Sequence, residues 1–173
     1  MIQINISAGL WETARLHLNE RAEQVGFFLA DWSPAERQFM IREWRPVDAG
    51  TGDADDRLHV SLPDQTRSEI IQWAWAEGAC LIEAHSHGRW SPAAFSPYDL
   101  GNLREWVPHL WWRLRGRPYA AIVTTTSDFD VLAWIDNADE IEQVDGIAAG
   151  AHFPSTRATR SFSRREEHGR EPL

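Results

Sequence analysis

Glu83–Leu100 reads EAHSHGRWSPAAFSPYDL, and the reading of the chain turns on this stretch. It emerges from a short apolar segment, Cys80 to His85, that reads as a strand. Period-two alternation sends the His85 and His87 imidazoles to one face, near enough to share an ion. Imidazole is a good zinc ligand, although two polar residues at a strand end look the same. Ser96-Pro97-Tyr98-Asp99 then has the form of a helix start. Ser96 is the N-cap, Pro97 the first helical residue, and Asp99 closes a capping box. A histidine strand, a loop and a helix start carrying a carboxylate can bring His85, His87 and Asp99 to one ion. Three protein ligands with an open position for water are what a catalytic zinc site needs.

Outward from this stretch, strands and helices alternate. Ile2–Ile6 reads as a strand, Ala8–Asn19 as a helix with Ser7 as N-cap, and Gln24–Ala30 as a buried strand. Arg37–Val47 is a second strand bounded by Pro34 and Pro46; Asp48–Asp56 is an acidic loop; Arg57–Leu62 returns as a strand. Asp64–Glu77 and Leu100–Leu114 read as helices, and Tyr119–Thr126 with Asp128–Ile135 as a hairpin. The order predicts an α/β (α+β) fold, a mixed central β-sheet flanked by helices. From about Ala149 the apolar pattern fails: PSTRATRSFSRREEHGREPL has Phe162 and Leu173 as its large apolar residues. The expectation is one domain over 1–148 and a disordered tail over 149–173.

Composition narrows the class. The 173 residues are 43% hydrophobic, enough for a core, with a net charge of -9 that disfavours a phosphate-binding surface. No apolar run approaches the ~20 residues of a membrane span, and Met1–Ser7 does not read as a signal peptide. The expectation is a cytoplasmic protein that binds neither nucleic acid nor membrane, with the lone Cys80 as a buried small hydrophobe. All 17 basic residues are arginine. A GC-rich genome explains that, as does life beside a lysine-modifying system.

Amide hydrolysis also needs a proton shuttle. Glu23, three residues before Gly26 at the edge of the QVGFFLA strand, is the candidate general base, with Glu20 as rival. Together, Glu23-x-x-Gly26, His85-x-His87 and Ser96-x-x-Asp99 resemble the JAB/MPN (JAMM) metalloprotease family over roughly residues 5 to 136. Two departures stand out. Gly88 replaces the family's usual Pro, and eight residues instead of seven separate His87 from Ser96.

The resemblance implies a JAB/MPN-like, cytidine-deaminase-like architecture. It implies one zinc ion held by His85, His87 and Asp99, with Glu23 moving the proton and Ser96 bonding the oxyanion. The implied activity is that of a bacterial stand-alone peptidase or isopeptidase cutting after the C-terminal tail of a ubiquitin-like protein, in precursors, conjugates or both. E1-like and E2-like partners from the same operon, including antiviral ones, follow from the same resemblance. Release of an amino acid from a small sulfur-carrier protein, and a non-catalytic MPN scaffold, are the alternatives. Beyond the motif, Trp90 is a candidate groove residue, the Asp48–Asp56 loop a candidate substrate contact, and His17, His59 and His109 are read as structural or surface residues.

Overall fold

A computed structural model describes residues 1–20, 23–47, 62–87 and 91–159. Its elements run β1 (Ile2–Asn5), α1 (Ala8–Leu18), β2 (Val25–Ser33), β3 (Gln38–Val47), α2 (Asp64–Ala76), β4 (Cys80–Ser86), α3 (Pro97–Arg113), β5 (Tyr119–Thr124), β6 (Phe129–Trp134), β7 (Glu142–Ala148) and β8 (His152–Pro154). Local chemistry accounts for the helix starts. The Ser7 side chain accepts from Leu10 N at α1, and Ser96 with Asp99 forms a complete capping box at α3, with Pro97 in the first turn.

The strands lie side by side as β1-β3-β2-β4-β5-β6-β7-β8, and β7 also pairs in parallel with β1. That last pairing closes a ring. The expected open mixed sheet flanked by helices, in a JAB/MPN-like or cytidine-deaminase-like arrangement, is therefore corrected: the chain forms a closed seven-stranded β-barrel, with β8 extending the edge of β7 beyond β6. The reason lies in β7. EQVDGIA is short and half polar, and nothing local in it names β1, at the opposite end of the chain, as its neighbour.

Alternation along the strands divides the interior in two. Ile4, Phe28, Phe39, Ile82, Ile122, Val131 and Ile147, one from each ring strand, meet Trp11, Ala14 and Leu18 of α1. The alternate residues Phe27, Leu29, Leu81, Tyr119, Val123 and Leu132 face the other way, onto Ile70 and Ala74 of α2 and Leu103, Val107 and Leu110 of α3. Two helices thus cover the outside of β2, β4, β5 and β6.

The expected disorder from 149 onward is corrected for 149–159. β8 pairs with β7, and Ser155 and Thr159 are buried. Asp130, fully buried on β6, holds them: its carboxylate accepts from Ser155 Oγ at 2.7 Å, Thr159 N at 2.9 Å, Thr159 Oγ1 at 2.6 Å and Gln143 Nε2 at 3.1 Å. Hydrogen bonds to one carboxylate do here what apolar side chains do elsewhere. Residues 160–173 lie outside the described residues, as do the acidic loop 48–56 and positions 57–61 of the strand expected before Leu62. Among the described residues no helix is long and apolar enough to cross a membrane.

Candidate metal centre

Strand register builds the site. β2 and β4 pair antiparallel with Val25 opposite His85. The ladder continues through Ser86 N to Gln24 O and Gln24 N to Ser86 Oγ, both 2.9 Å, which brings Glu23 opposite His87. On the other side β5 runs parallel to β4, and His87 N donates to Thr124 O at 2.8 Å. Residues 83, 85 and 87, like 23 and 25, have the parity of the outward face under α2 and α3. Gly26 earns its place by clearance: a Cβ there would run into the Trp44 ring and come within 2.9 Å of Arg45 O.

The helix start supplies the third group. Ser96 Oγ accepts from Asp99 N at 3.1 Å, and Ser96 N donates to Asp99 Oδ2 at 2.7 Å. Fixed this way, Asp99 Oδ2 stands 3.2 Å from His87 Nε2 and Oδ1 stands 3.8 Å from His85 Nε2. One ligand atom from each of the three residues lies within 4.8 Å of the others. Ligands about 2.1 Å from a tetrahedral zinc ion sit about 3.4 Å apart, and the distances from Asp99 to His87 and to His85 bracket that value.

Two further observations bear on that fit. His85 is buried and neither of its ring nitrogens has a hydrogen-bond partner. A buried polar atom left so is costly, and a cation facing Nε2 would satisfy it. The electrostatics are those of a carboxylate facing two imidazoles. Burial acts to raise the Asp99 pKa, but the facing His85 and His87 imidazoles and the hydrogen bond from Ser96 outweigh it and hold the carboxyl well below the usual range. Burial acts to lower the His87 pKa, but the bond to Asp99 and the charges of Asp99 and Glu23 raise it above the ordinary value. The donor set His, His, Asp suits zinc.

A cleft of about 560 Å³ opens beside this group between α2 and α3, and Glu23, Glu83, His85 and Asp99 all line it. Of the residues singled out by sequence, His85, His87, Asp99 and Glu23 come together. Ser96 caps α3 beside them but is not among the residues lining the cleft. The described part of the loop, residues 91–95, is held from an unexpected side. Thr159 Oγ1 accepts from Phe95 N at 2.9 Å, Thr156 Oγ1 donates to Ala93 O at 3.1 Å, and the Phe95 ring meets His85 edge-on at 5.7 Å. Trp90 and Gly88 of that loop, and His59, lie outside the described residues. His17 is tied to Val25 O at 3.1 Å, and His109 lines the cleft stacked on Trp106.

Sequence reasoning missed Glu83 and Tyr119. Glu83 Oε1 lies 3.7 Å from His85 Nδ1, and Tyr119 donates its hydroxyl to Glu83 Oε2 at 3.0 Å. Burial raises the pKa of both groups, and the Glu83 charge pushes Tyr119 further up. The signal was available for Glu83, which shares the parity of His85 and His87.

No family model and no curated protein matches the chain. Among solved structures it is similar to a protein of Desulfitobacterium hafniense solved in solution, at 14% identity and a TM-score of 0.52, covering 87% of this chain and 95% of that one. A solution structure from Salinibacter ruber is similar at 17% identity and a TM-score of 0.46, covering 86% of this chain and 91% of that one. At such identity the first is a likeness of fold alone.

Proposed function

We propose that the chain is a zinc-dependent hydrolase of amide bonds, with His85, His87 and Asp99 as ligands and Glu23 as general base. One observation carries the reading: Asp99 reaches toward both imidazole Nε2 atoms while Glu23 stands across the strand pair from His87, on the same cleft. Zinc held there supplies Lewis acidity and brings the pKa of water to about 7. Glu23 accepts a proton from the attacking water and passes it to the leaving amine. Ser96, which caps α3 outside the cleft lining, serves by holding Asp99: its oxygen accepts from Asp99 N and its N–H donates to Asp99 Oδ2.

The Glu23-x-x-Gly26, His85-x-His87 and Ser96-x-x-Asp99 spacing supports a peptidase or isopeptidase cutting after the tail of a ubiquitin-like protein, in a reducing cytoplasm that keeps Cys80 a thiol. The test is zinc content together with cleavage of a ubiquitin-like fusion protein. Wild type and Glu23→Gln are expected to hold about one zinc per chain, with cleavage slowed about 10²–10⁴-fold in the variant. His85→Ala is expected to lose the metal. Wild type without zinc, or Glu23→Gln cutting at the wild-type rate, would falsify the mechanism.

A further inference from the structure

The cleft beside the metal-type group is one end of a longer groove. Its walls are one face of α2 and one face of α3, and at Ile71 and Arg113 it runs into a second hollow lined by Trp75, Trp111, Trp112 and Arg115. There two tryptophans stand in the open, Trp75 at 44% exposure and Trp112 at 72%. The Arg113 guanidinium lies 5.1 Å over the Trp112 ring, and those of Arg115 and Arg117 lie 5.1 and 5.3 Å over Trp75. Among the described residues none of these arginines pairs with a carboxylate. In a chain of net charge -9, that is a concentrated cationic and aromatic surface.

The groove is therefore polarised. Glu23, Asp64, Glu83, Asp99 and Glu105 line one end, with Arg67 and Trp106 among them, whereas the other end is lined by Trp75, Trp111, Trp112, Arg113 and Arg115 and by no acidic side chain. A nucleic-acid strand laid along it would drive its phosphates past five carboxylates. A polypeptide matches better, because it can present carboxylates at one end alone. Arginine on tryptophan is also a common anchor in protein recognition, combining a planar fork for carboxylates with a large apolar face. The helix rise places Arg113 roughly 21 Å along α3 from Asp99, a span that an extended chain crosses in about six residues.

We infer that the Trp75–Trp112–Arg113–Arg115 patch is the anchoring subsite for an extended acidic polypeptide, gripping a carboxylate and a neighbouring apolar side chain about six residues from the bond presented to His85, His87 and Asp99. The inference deepens the hydrolase reading and rests on it for the position of that bond, while the grip itself needs no metal.

The test therefore uses the full chain freed of metal with EDTA, and fluorescein-labelled Gly-Ser dodecapeptides carrying one Leu-Glu-Glu or one Leu-Arg-Arg block. Fluorescence anisotropy is expected to show binding of the acidic peptide and at least about ten-fold weaker binding of the basic one. Arg113→Glu with Arg115→Glu is expected to reverse that preference, and Trp112→Ala, at a residue already in solvent, to weaken binding without altering circular dichroism. The inference falls if the charge-reversed protein binds the acidic peptide like wild type, or if an oligothymidylate binds the patch as tightly as the acidic peptide. Zinc content, measured separately on wild type and His85→Ala, reports on the metal reading alone, so the two failures are distinguishable.

Discussion

Glu83 has a definite task beside the candidate ligands. Its carboxylate faces His85 Nδ1, and its other oxygen is held by the buried Tyr119 hydroxyl. A carboxylate there favours a proton on Nδ1 and so leaves the Nε2 lone pair toward Asp99, the arrangement that orients metal-binding histidines. Glu83→Ala is expected to weaken zinc binding about 10–100-fold in a chelator competition, with Glu83→Gln recovering part of the loss, because an amide oxygen still accepts. Unchanged zinc affinity in Glu83→Ala, with only the melting temperature lowered, would reduce Glu83 to a structural role. At this scale the sequence was informative where one element sufficed. Two imidazoles at period two and a capping box are local patterns, and the structure keeps both. Glu83 was overlooked because its partner Tyr119 sits on another strand, 36 residues on, and parallel pairing leaves no mark between them.

Among the elements, the segment after β8 shows how little apolar surface an ordered stretch needs. Asp130 gathers donors from Ser155, Thr159 and Gln143, and Thr159 passes the order on to Phe95, next to the Ser96 cap. Ser, Thr and Arg composition reads as disorder because each polar group looks solvated until a buried acceptor is known. That acceptor lies on β6, where DFDVLAW offers the aspartate no visible partner. Thr159→Val strips the Phe95 N–H of its acceptor and removes a donor to Asp130, and is expected to cost about 1–3 kcal/mol in urea unfolding. Asp130→Ala is expected to cost at least as much. Since both act on one network, the double variant is expected to fall short of the sum of the singles. Strict additivity would show that Thr159 and Asp130 act separately.

For the whole molecule, the decisive contact is the parallel pairing of β1 with β7, which no local pattern announces and which turns a sheet into a barrel. Cys80 reports on it. The thiol belongs to the cluster shared by all the ring strands, and burial pushes its pKa from 9.0 up to about 12. The sign follows directly: the folded chain holds the proton more tightly, so this contribution to stability is complete below pH 9.0 and is lost as pH rises toward 12. At pH 8 the native thiol stays protonated and buried, so a thiol reagent waits for the barrel to open. Gly146 on β7 offers a way to force the ring. A Cβ there would collide with the Phe153 carbonyl and come within 3.0 Å of Pro154 Cα, so a larger residue must push β8 away or shift β7 against β1. If the ring opens as one unit, Gly146→Val accelerates Cys80 labelling tenfold for every ~1.4 kcal/mol it removes from the equilibrium stability. Labelling that stays at the wild-type rate while stability falls would mean that β4 frees its thiol locally, without parting β1 from β7.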